Sequence, residues 1–220
     1  MVKIVLFDLD GTITDSGPGI MNSVQYALDR FGYEDQTEEQ LRRFIGPPLI
    51  DSFREFYGLS EEHGWQAVAL YREYYGTKGI FENTLYRGVP EMLDRLTALG
   101  CKTAIATSKP EVYAVRILEH LGISDKFAYI GGSLMNGDRS RKAEVITYVM
   151  DKLDCQEPGT VMMVGDRRHD IEGAHLVGID ATGVTYGYGS CEELLKANAD
   201  YLAVSPERFV KVIEVLNQTV

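Results

Sequence analysis

The stretch IVLFDLDGTITDS, Ile4 to Ser16, does most to limit what this chain can fold into. Five of its first six residues are apolar (Ile4, Val5, Leu6, Phe7 and Leu9), and two acids, Asp8 and Asp10, close the run ahead of Gly11-Thr12. A continuous apolar run bounded by turn residues reads as a strand covered on both faces. Carboxylates two residues apart point to the same side of an extended chain. At about 4 Å they repel by roughly 4 kcal/mol at an effective dielectric near 20. A strand that ends this way needs a cation.

Similar Val- and Ile-rich runs recur at Lys3–Phe7, Lys102–Ala106, Phe127–Gly131, Thr160–Val164 and Ile179–Val184. Amphipathic segments separate the later ones. Met92, Leu93, Leu96 and Leu99 share one face between Pro90 and Gly100; Ala114, Ile117, Leu118 and Leu121 repeat the pattern up to Gly122; Ile146, Val149, Met150 and Leu153 repeat it again. Ser205-Pro206-Glu207 opens a last helix with a cap, a proline and an acid. Strands alternating with helices predict an α/β fold, a parallel sheet with helices on both faces.

That alternation breaks between Gly17 and about Thr84. Ile20, Val24, Ala27, Leu28 and Phe31 recur at helical spacing, Thr37-Glu38-Glu39-Gln40 has the form of a capping box, and helical segments follow near Leu49–Tyr57 and Glu61–Tyr75. The reading is an all-helical insert at residues 17–83 in a core made of residues 1–16 and 84–220.

Ligands of open α/β sheets sit beyond the carboxyl ends of the strands. Asp8, Asp10, Gly11 and Thr12 follow the first strand; Thr107, Ser108 and Lys109 follow the second; Gly165, Asp166 and Asp170 follow the fourth, and Lys142 opens the helix before it. Taken singly, each has a plain structural role: a turn acid, a helix cap, a solvated lysine, a first-turn carboxylate. Together they place four acids, hydroxyls and at least one lysine on one sheet edge. Carboxylates without His or Cys nearby select Mg²⁺ over zinc, and Mg²⁺ commonly bridges to phosphate.

The segments Asp8–Thr12 (DLDGT), Ala106–Pro110 (ATSKP), Lys142 and Val164–Asp170 (VGDRRHD) resemble, in order and across the whole core, the four motifs of the haloacid dehalogenase superfamily. The helical insert resembles the small cap of its phosphoglycolate phosphatase branch. The resemblance implies a Rossmann-like core with the cap above the site, Mg²⁺ as cofactor and phosphomonoester hydrolysis through an aspartyl-phosphate. Asp8 matches the nucleophile, Asp10 the general acid/base, Thr107 the phosphoryl-holding hydroxyl with Ser108 beside it, and Lys142 the charge-balancing lysine. Asp166 matches a metal ligand and Asp170 its acidic neighbour. Asp8 and the backbone carbonyl of Asp10 complete the implied metal set. Thr107-Ser108-Lys109-Pro110 stands where that branch often carries Thr-Asn-Lys-Pro, so the resemblance covers the chemistry and leaves the ester open.

Specificity is then expected from the insert. Arg42 and Arg43 precede the rigid turn Gly46-Pro47-Pro48, and Arg43 is the residue expected to meet a substrate anion, with Arg42 second. Tyr71, Tyr74 and Tyr75 are read as core packing by their spacing, and His169 as a surface residue.

Composition narrows the partners. Thirty-three acids against 22 bases give a formal net charge of −11 with no basic stripe, which argues against binding a nucleic acid polymer. No apolar run approaches the ~20 residues of a membrane span. Met1-Val2-Lys3 leads straight into a strand without a signal-peptide layout, and Cys101, Cys155 and Cys191 lie far apart, as in a cytoplasmic protein with reduced thiols. The expected partner is a small phosphorylated metabolite; oligomeric state is left open. Alternatives within the fold are a 5′-nucleotidase or a pyrophosphatase. Outside it stand a phosphorylation-sensing receiver domain and a catalytically idle binding protein. Receivers carry their phosphorylated aspartate mid-chain, whereas Asp8 ends the first strand, and the intact set Asp8, Asp10, Thr107, Lys142 and Asp166 argues against an idle site.

Overall fold

The computed structural model describes residues 1–218. The chain enters a strand, β1 (Ile4–Phe7), passes a two-residue strand, β2 (Thr14–Asp15), and then forms four helices: α1 (Gly17–Asp29), α2 (Glu38–Arg42), α3 (Leu49–Tyr57) and α4 (Glu61–Tyr75). A second two-residue strand, β3 (Thr84–Leu85), leads to α5 (Val89–Ala98), β4 (Lys102–Pro110), α6 (Glu111–His120), β5 (Tyr129–Ser133) and α7 (Lys142–Lys152). The chain ends with β6 (Val161–Gly165), α8 (Arg168–Val177), β7 (Asp180–Val184), α9 (Cys191–Lys196), β8 (Tyr201–Ala203) and α10 (Pro206–Gln218). It divides into two compact units, Met1–Asp15 with Leu85 onward, and Ser16–Thr84.

In the first unit six strands form one sheet in the order β5-β4-β1-β6-β7-β8. Every adjacent pair is parallel, and β1 lies between β4 and β6, with Phe7 opposite Ile105 on one side and Val164 on the other. A central strand covered on both faces has no polar side, which is why the sequence there is apolar without alternation. Ile4 and Leu6 pack into a cluster with Ala104, Met163, Val145 and Ile171. Phe7, pointing the other way, meets Phe209 of α10 edge to face at 5.8 Å between ring centroids. Burial of this kind is the dominant favourable contribution to folding.

The strands lie close to where the sequence placed them. The third begins at Tyr129 rather than Phe127. The second runs on from Ala106 to Pro110, with a register irregularity against β5 over that extension. The sequence reading had no place for β8, whose three residues are too few for any period.

Up to Phe81 the regular elements of the second unit are all helical, joined by turns, with a 3₁₀ turn at Gly79–Phe81 after α4. Thr37 caps α2 in a complete capping box with Gln40, and Ser60 caps α4. Tyr71 and Tyr75 are buried and stack at 5.3 Å, as a core reading of their spacing requires, while Tyr74 donates its hydroxyl to Glu82 Oε1 at 3.0 Å. Arg43 is exposed, with its guanidinium 3.8 Å above the Phe56 ring. Arg42 is paired with Glu38 one turn back. Among the described residues no helix is long and apolar enough to cross a membrane.

Candidate active site

All core residues singled out in the sequence lie in the first unit, at the carboxyl ends of the central strands. Asp8 continues β1, its N–H donating to Val164 O at 2.9 Å, so the strand ladder holds its backbone. Gly11 has φ +80°, and a Cβ there would lie 2.3 Å from Asp166 Oδ2. Two reasons therefore require glycine after the acids, a left-handed turn and the close approach of a carboxylate from β6's end.

Asp8, Asp166 and Asp170 bring one carboxylate oxygen each to within 4.8 Å of one another. Gly165 makes room for this, since any side chain there would collide with the Asp170 carboxyl. Asp170 sits in the first turn of α8 and accepts the Arg167 N–H through Oδ2 at 3.1 Å. Lys142, first residue of α7, reaches the cluster as well. Its Nζ lies 2.8 Å from Asp8 Oδ1 and 2.7 Å from Asp170 Oδ1, and it donates to Ala106 O at 3.1 Å. Gly173 on α8 lets the lysine's stem pass, because a Cβ there would stand 2.8 Å from Lys142 Cβ.

Two groups that the sequence reading did not assign complete the arrangement. Lys109 Nζ lies 3.0 Å from Asp10 Oδ2, so the carboxylate of Asp10 pairs with its own lysine and stands apart from the other three acids. The loop after β7 wraps Asp166. The N–H groups of Tyr188 and Gly189 donate to its Oδ2 at 2.7 and 3.4 Å, and Gly187 and Gly189 press so closely that side chains at either would strike Asp166 or Gly11. Tyr188 anchors this loop through its hydroxyl to Asp15 Oδ1 at 2.7 Å, and Tyr186 donates to Thr12 O at 3.0 Å. The only sequence signal for the loop is the alternation of glycine with tyrosine after a strand.

Thr107 is buried and its Oγ1 accepts the Lys109 N–H at 3.2 Å. Ser108 is exposed. Neither caps α6, whose N-cap is Pro110. His169 is exposed, as expected of a surface residue.

The electrostatics of the cluster follow from burial. Asp166 is fully enclosed, and its carboxyl is pushed up to about 8 by burial first and by the charges of Asp170 and Asp8 next, against the Tyr188 N–H and Arg167. Asp170 is raised as well, chiefly by burial, with Lys142 opposing. Burial acts to lower the Lys142 pKa, but Asp170 and Asp8 outweigh it and hold the ammonium charged. With all four carboxylates ionised, as metal binding would require, Lys109 and Lys142 would balance only two of the negative charges. Asp166 Oδ1 is buried and without a hydrogen-bond partner. An all-oxygen donor set with a deficit of two positive charges fits a hard divalent cation held by Asp8 and Asp166, with Asp170 next to them.

The chain is 42% identical over 190 residues, 86% of each sequence, to a 5′-nucleotidase of Pseudomonas aeruginosa. It is 30% identical over 222 residues, 97% of each, to a phosphoglycolate phosphatase of Vibrio parahaemolyticus. A predicted phosphatase from Clostridium acetobutylicum superposes with a TM-score of 0.90 at 42% identity, over 97% of this chain and 98% of that one. Residues 5–184 match the haloacid dehalogenase-like hydrolase family, and the chain belongs to it.

Proposed function

We propose that this protein is a Mg²⁺-dependent phosphomonoesterase that hydrolyses a small phosphorylated metabolite through an aspartyl-phosphate on Asp8. The observation that carries the reading is the contact of Lys142 with both Asp8 and Asp170 at 2.8 and 2.7 Å, beside the enclosed Asp166. A buried lysine of this kind pairs with the Asp8 side chain and offers positive charge to an arriving phosphoryl group.

In the first half-reaction an Asp8 carboxylate oxygen attacks phosphorus, the ester P–O bond breaks, and Asp10 gives a proton to the departing oxygen. In the second, Asp10 takes a proton from water, the water oxygen bonds to phosphorus, and the bond to Asp8 breaks, releasing phosphate. Thr107 Oγ1 and Lys142 Nζ hold the equatorial phosphoryl oxygens. Bound Mg²⁺ would supply further charge neutralisation on the phosphoryl group, with Asp8, Asp166 and the backbone carbonyl of Asp10 as its protein ligands.

The leaving group is read by the helical unit, with Arg43 as the residue that meets a second polar group of the substrate. The reading favoured among phosphate esters is a phosphoglycolate phosphatase-like enzyme. A nucleoside monophosphate is the second, favoured by the 42% identity to a 5′-nucleotidase. Three free thiols suit a reducing cytoplasm.

A panel of phosphate esters, including phosphoglycolate, nucleoside monophosphates and an aryl phosphate, assayed with Mg²⁺ for released phosphate and leaving alcohol, tests the reading. Catalytic turnover of at least one small ester is expected. One equivalent of the leaving alcohol per protein without phosphate release would point to a receiver-like phosphoacceptor, and neither product from any ester would sink the enzyme reading altogether.

A further inference from the structure

Asp10 is held differently from the other acids. Its Oδ2 lies 3.0 Å from Lys109 Nζ, and the lysine side chain is only 7% exposed against 23% for the aspartate. Its Oδ1 is buried and carries no hydrogen bond. One oxygen of the carboxylate is therefore engaged and the other bare.

The position of the lysine is set by the scaffold. β1 stops at Phe7 and β6 at Gly165, but β4 runs on to Pro110. On that extension the Lys109 N–H donates to Thr107 Oγ1 at 3.2 Å. On the other side Gly132 of β5 comes so close that a Cβ there would stand 2.4 Å from Lys109 O. The backbone at Lys109 is thus fixed from two directions, and the stem of the side chain is enclosed. An exposed lysine would have many rotamers and contribute little by pairing; an enclosed one holds its charge at a fixed point. Lys142 cannot take its place, since Nζ of that residue is engaged by Asp8, Asp170 and Ala106 O.

We propose that Lys109 is the positioning residue of Asp10: its ammonium takes Oδ2 and leaves Oδ1 as the oxygen that exchanges the proton with the leaving group and with the attacking water. The proposal rests on the reading of Asp10 as the general acid/base. A carboxyl group turns freely about its last torsion, which has broad minima, so an acid/base held at neither oxygen spends much of its time misdirected. Orientation of the proton-transferring atom accounts for a large share of what such a group contributes.

The test separates action through Asp10 from a role in folding. Lys109→Met and Lys109→Gln remove the charge, and Lys109→Arg keeps it. Turnover is measured on an alkyl phosphate, whose leaving oxygen needs a proton, and on 4-nitrophenyl phosphate, whose leaving anion is stable without one. For the alkyl ester, kcat/KM, which reports only the first half-reaction, should fall by about tenfold to a hundredfold, a part of the ~10²–10⁴-fold that general acid catalysis contributes. The aryl ester should lose much less, and Lys109→Arg should recover part of the alkyl-ester rate. In an Asp10→Asn background, measured on the aryl ester, Lys109→Met should cause no further loss. Equal losses in kcat/KM on both esters, or an additive loss in the Asp10→Asn background, would overturn the proposal by placing Lys109 on the phosphoryl group or in the fold. If Asp10→Asn slows the alkyl ester while the Lys109 variants do not, the proposal alone fails. If Asp10→Asn leaves the alkyl ester unaffected, the acid/base reading of Asp10 fails, and the proposal with it.

Discussion

The backbone N–H of Tyr188 donates to Oδ2 of Asp166 at 2.7 Å, and Asp166 Oδ1, on the same carboxylate, has no hydrogen-bond partner. One oxygen is fastened to a loop and the other is left for a ligand. The fastening depends on close backbone approach. A Cβ on Gly187 would stand 2.2 Å from Gly11 O and 2.5 Å from Asp166 Cβ.

Gly187→Ala should therefore displace Asp166 and weaken Mg²⁺ binding by tenfold or more, the usual effect of disturbing groups that orient a metal ligand. Calorimetric titration of metal-free protein measures this directly. Gly159→Ala, at a glycine with nothing within 4 Å of its would-be Cβ, is the control and should leave the affinity unchanged. Equal affinities for the Gly187 variant and wild type would show that the loop does not orient the carboxylate.

Asp8→Asn should fold as wild type does, because Lys142 keeps Asp170 as a partner at 2.7 Å. It should lose turnover by at least about a thousandfold, since a neutral amide does not attack phosphorus and phosphate-monoester hydrolysis has one of the slowest uncatalysed rates known. Steady-state phosphate release and thermal melting check the two halves. A variant keeping more than a few per cent of the rate would rule out a covalent route through Asp8.

The raised pKa of Asp166 sets a pH dependence with a defined sign. The folded group titrates near 8, pushed there by burial and by Asp170 and Asp8, whereas an unfolded aspartate titrates near ~3.9. The folded state binds this proton more tightly, so the group's contribution to stability is full below about pH 4 and is lost as pH rises towards 8. Metal-free wild type should accordingly lose melting temperature relative to Asp166→Asn between pH 5.5 and 8.5. Mg²⁺ should reverse the loss, with a gain that grows with pH, because the carboxylates must shed protons to bind it. Parallel melting curves for the two proteins across this range would mean that Asp166 titrates normally.

Removing divalent ions should abolish phosphate release, Mg²⁺ should restore it, and Ca²⁺ should support it poorly. Ca²⁺ prefers more ligands at longer distances than Mg²⁺ and would hold Asp8 and the phosphate in a different geometry. Full activity in excess chelator would contradict the proposed metal dependence.

Arg43→Ala should raise KM for the best natural substrate by several-fold more than for an aryl phosphate, which has no second polar group for a guanidinium to hold. The guanidinium rests 3.8 Å above Phe56, so the same change removes a packing contact. Paired KM measurements distinguish the two. A comparable loss on both substrates would assign Arg43 to the packing of its helical unit, and no change on either would remove it from the specificity argument.

Much of this protein was determined by sequence alone. Continuous apolar runs such as Ile4–Phe7 can be buried only between two layers, so the parallel sheet and the helices around it follow from the pattern of residues. The acids that end β1 and β6 are legible for the same reason, because a carboxylate at the end of a buried strand carries its chemistry in its own side chain. Lys142, at the head of a helix, reads by itself as a solvated lysine, and only its place in the order of the family's motifs singles it out. Tertiary structure alone decided the strand order, the pairing of the three-residue β8 with β7, and which lysine serves which carboxylate. Lys109 and Lys142 are the same residue type near the same sheet edge, and only the extension of β4 past its neighbours assigns the first to Asp10 and leaves the second to Asp8 and Asp170. The clamp on Asp166 was the least legible of all. It is made of backbone N–H groups, which every residue except proline possesses, and contacts of that kind exist only once the chain has brought Tyr188 and Gly189 back to a residue more than 20 positions away.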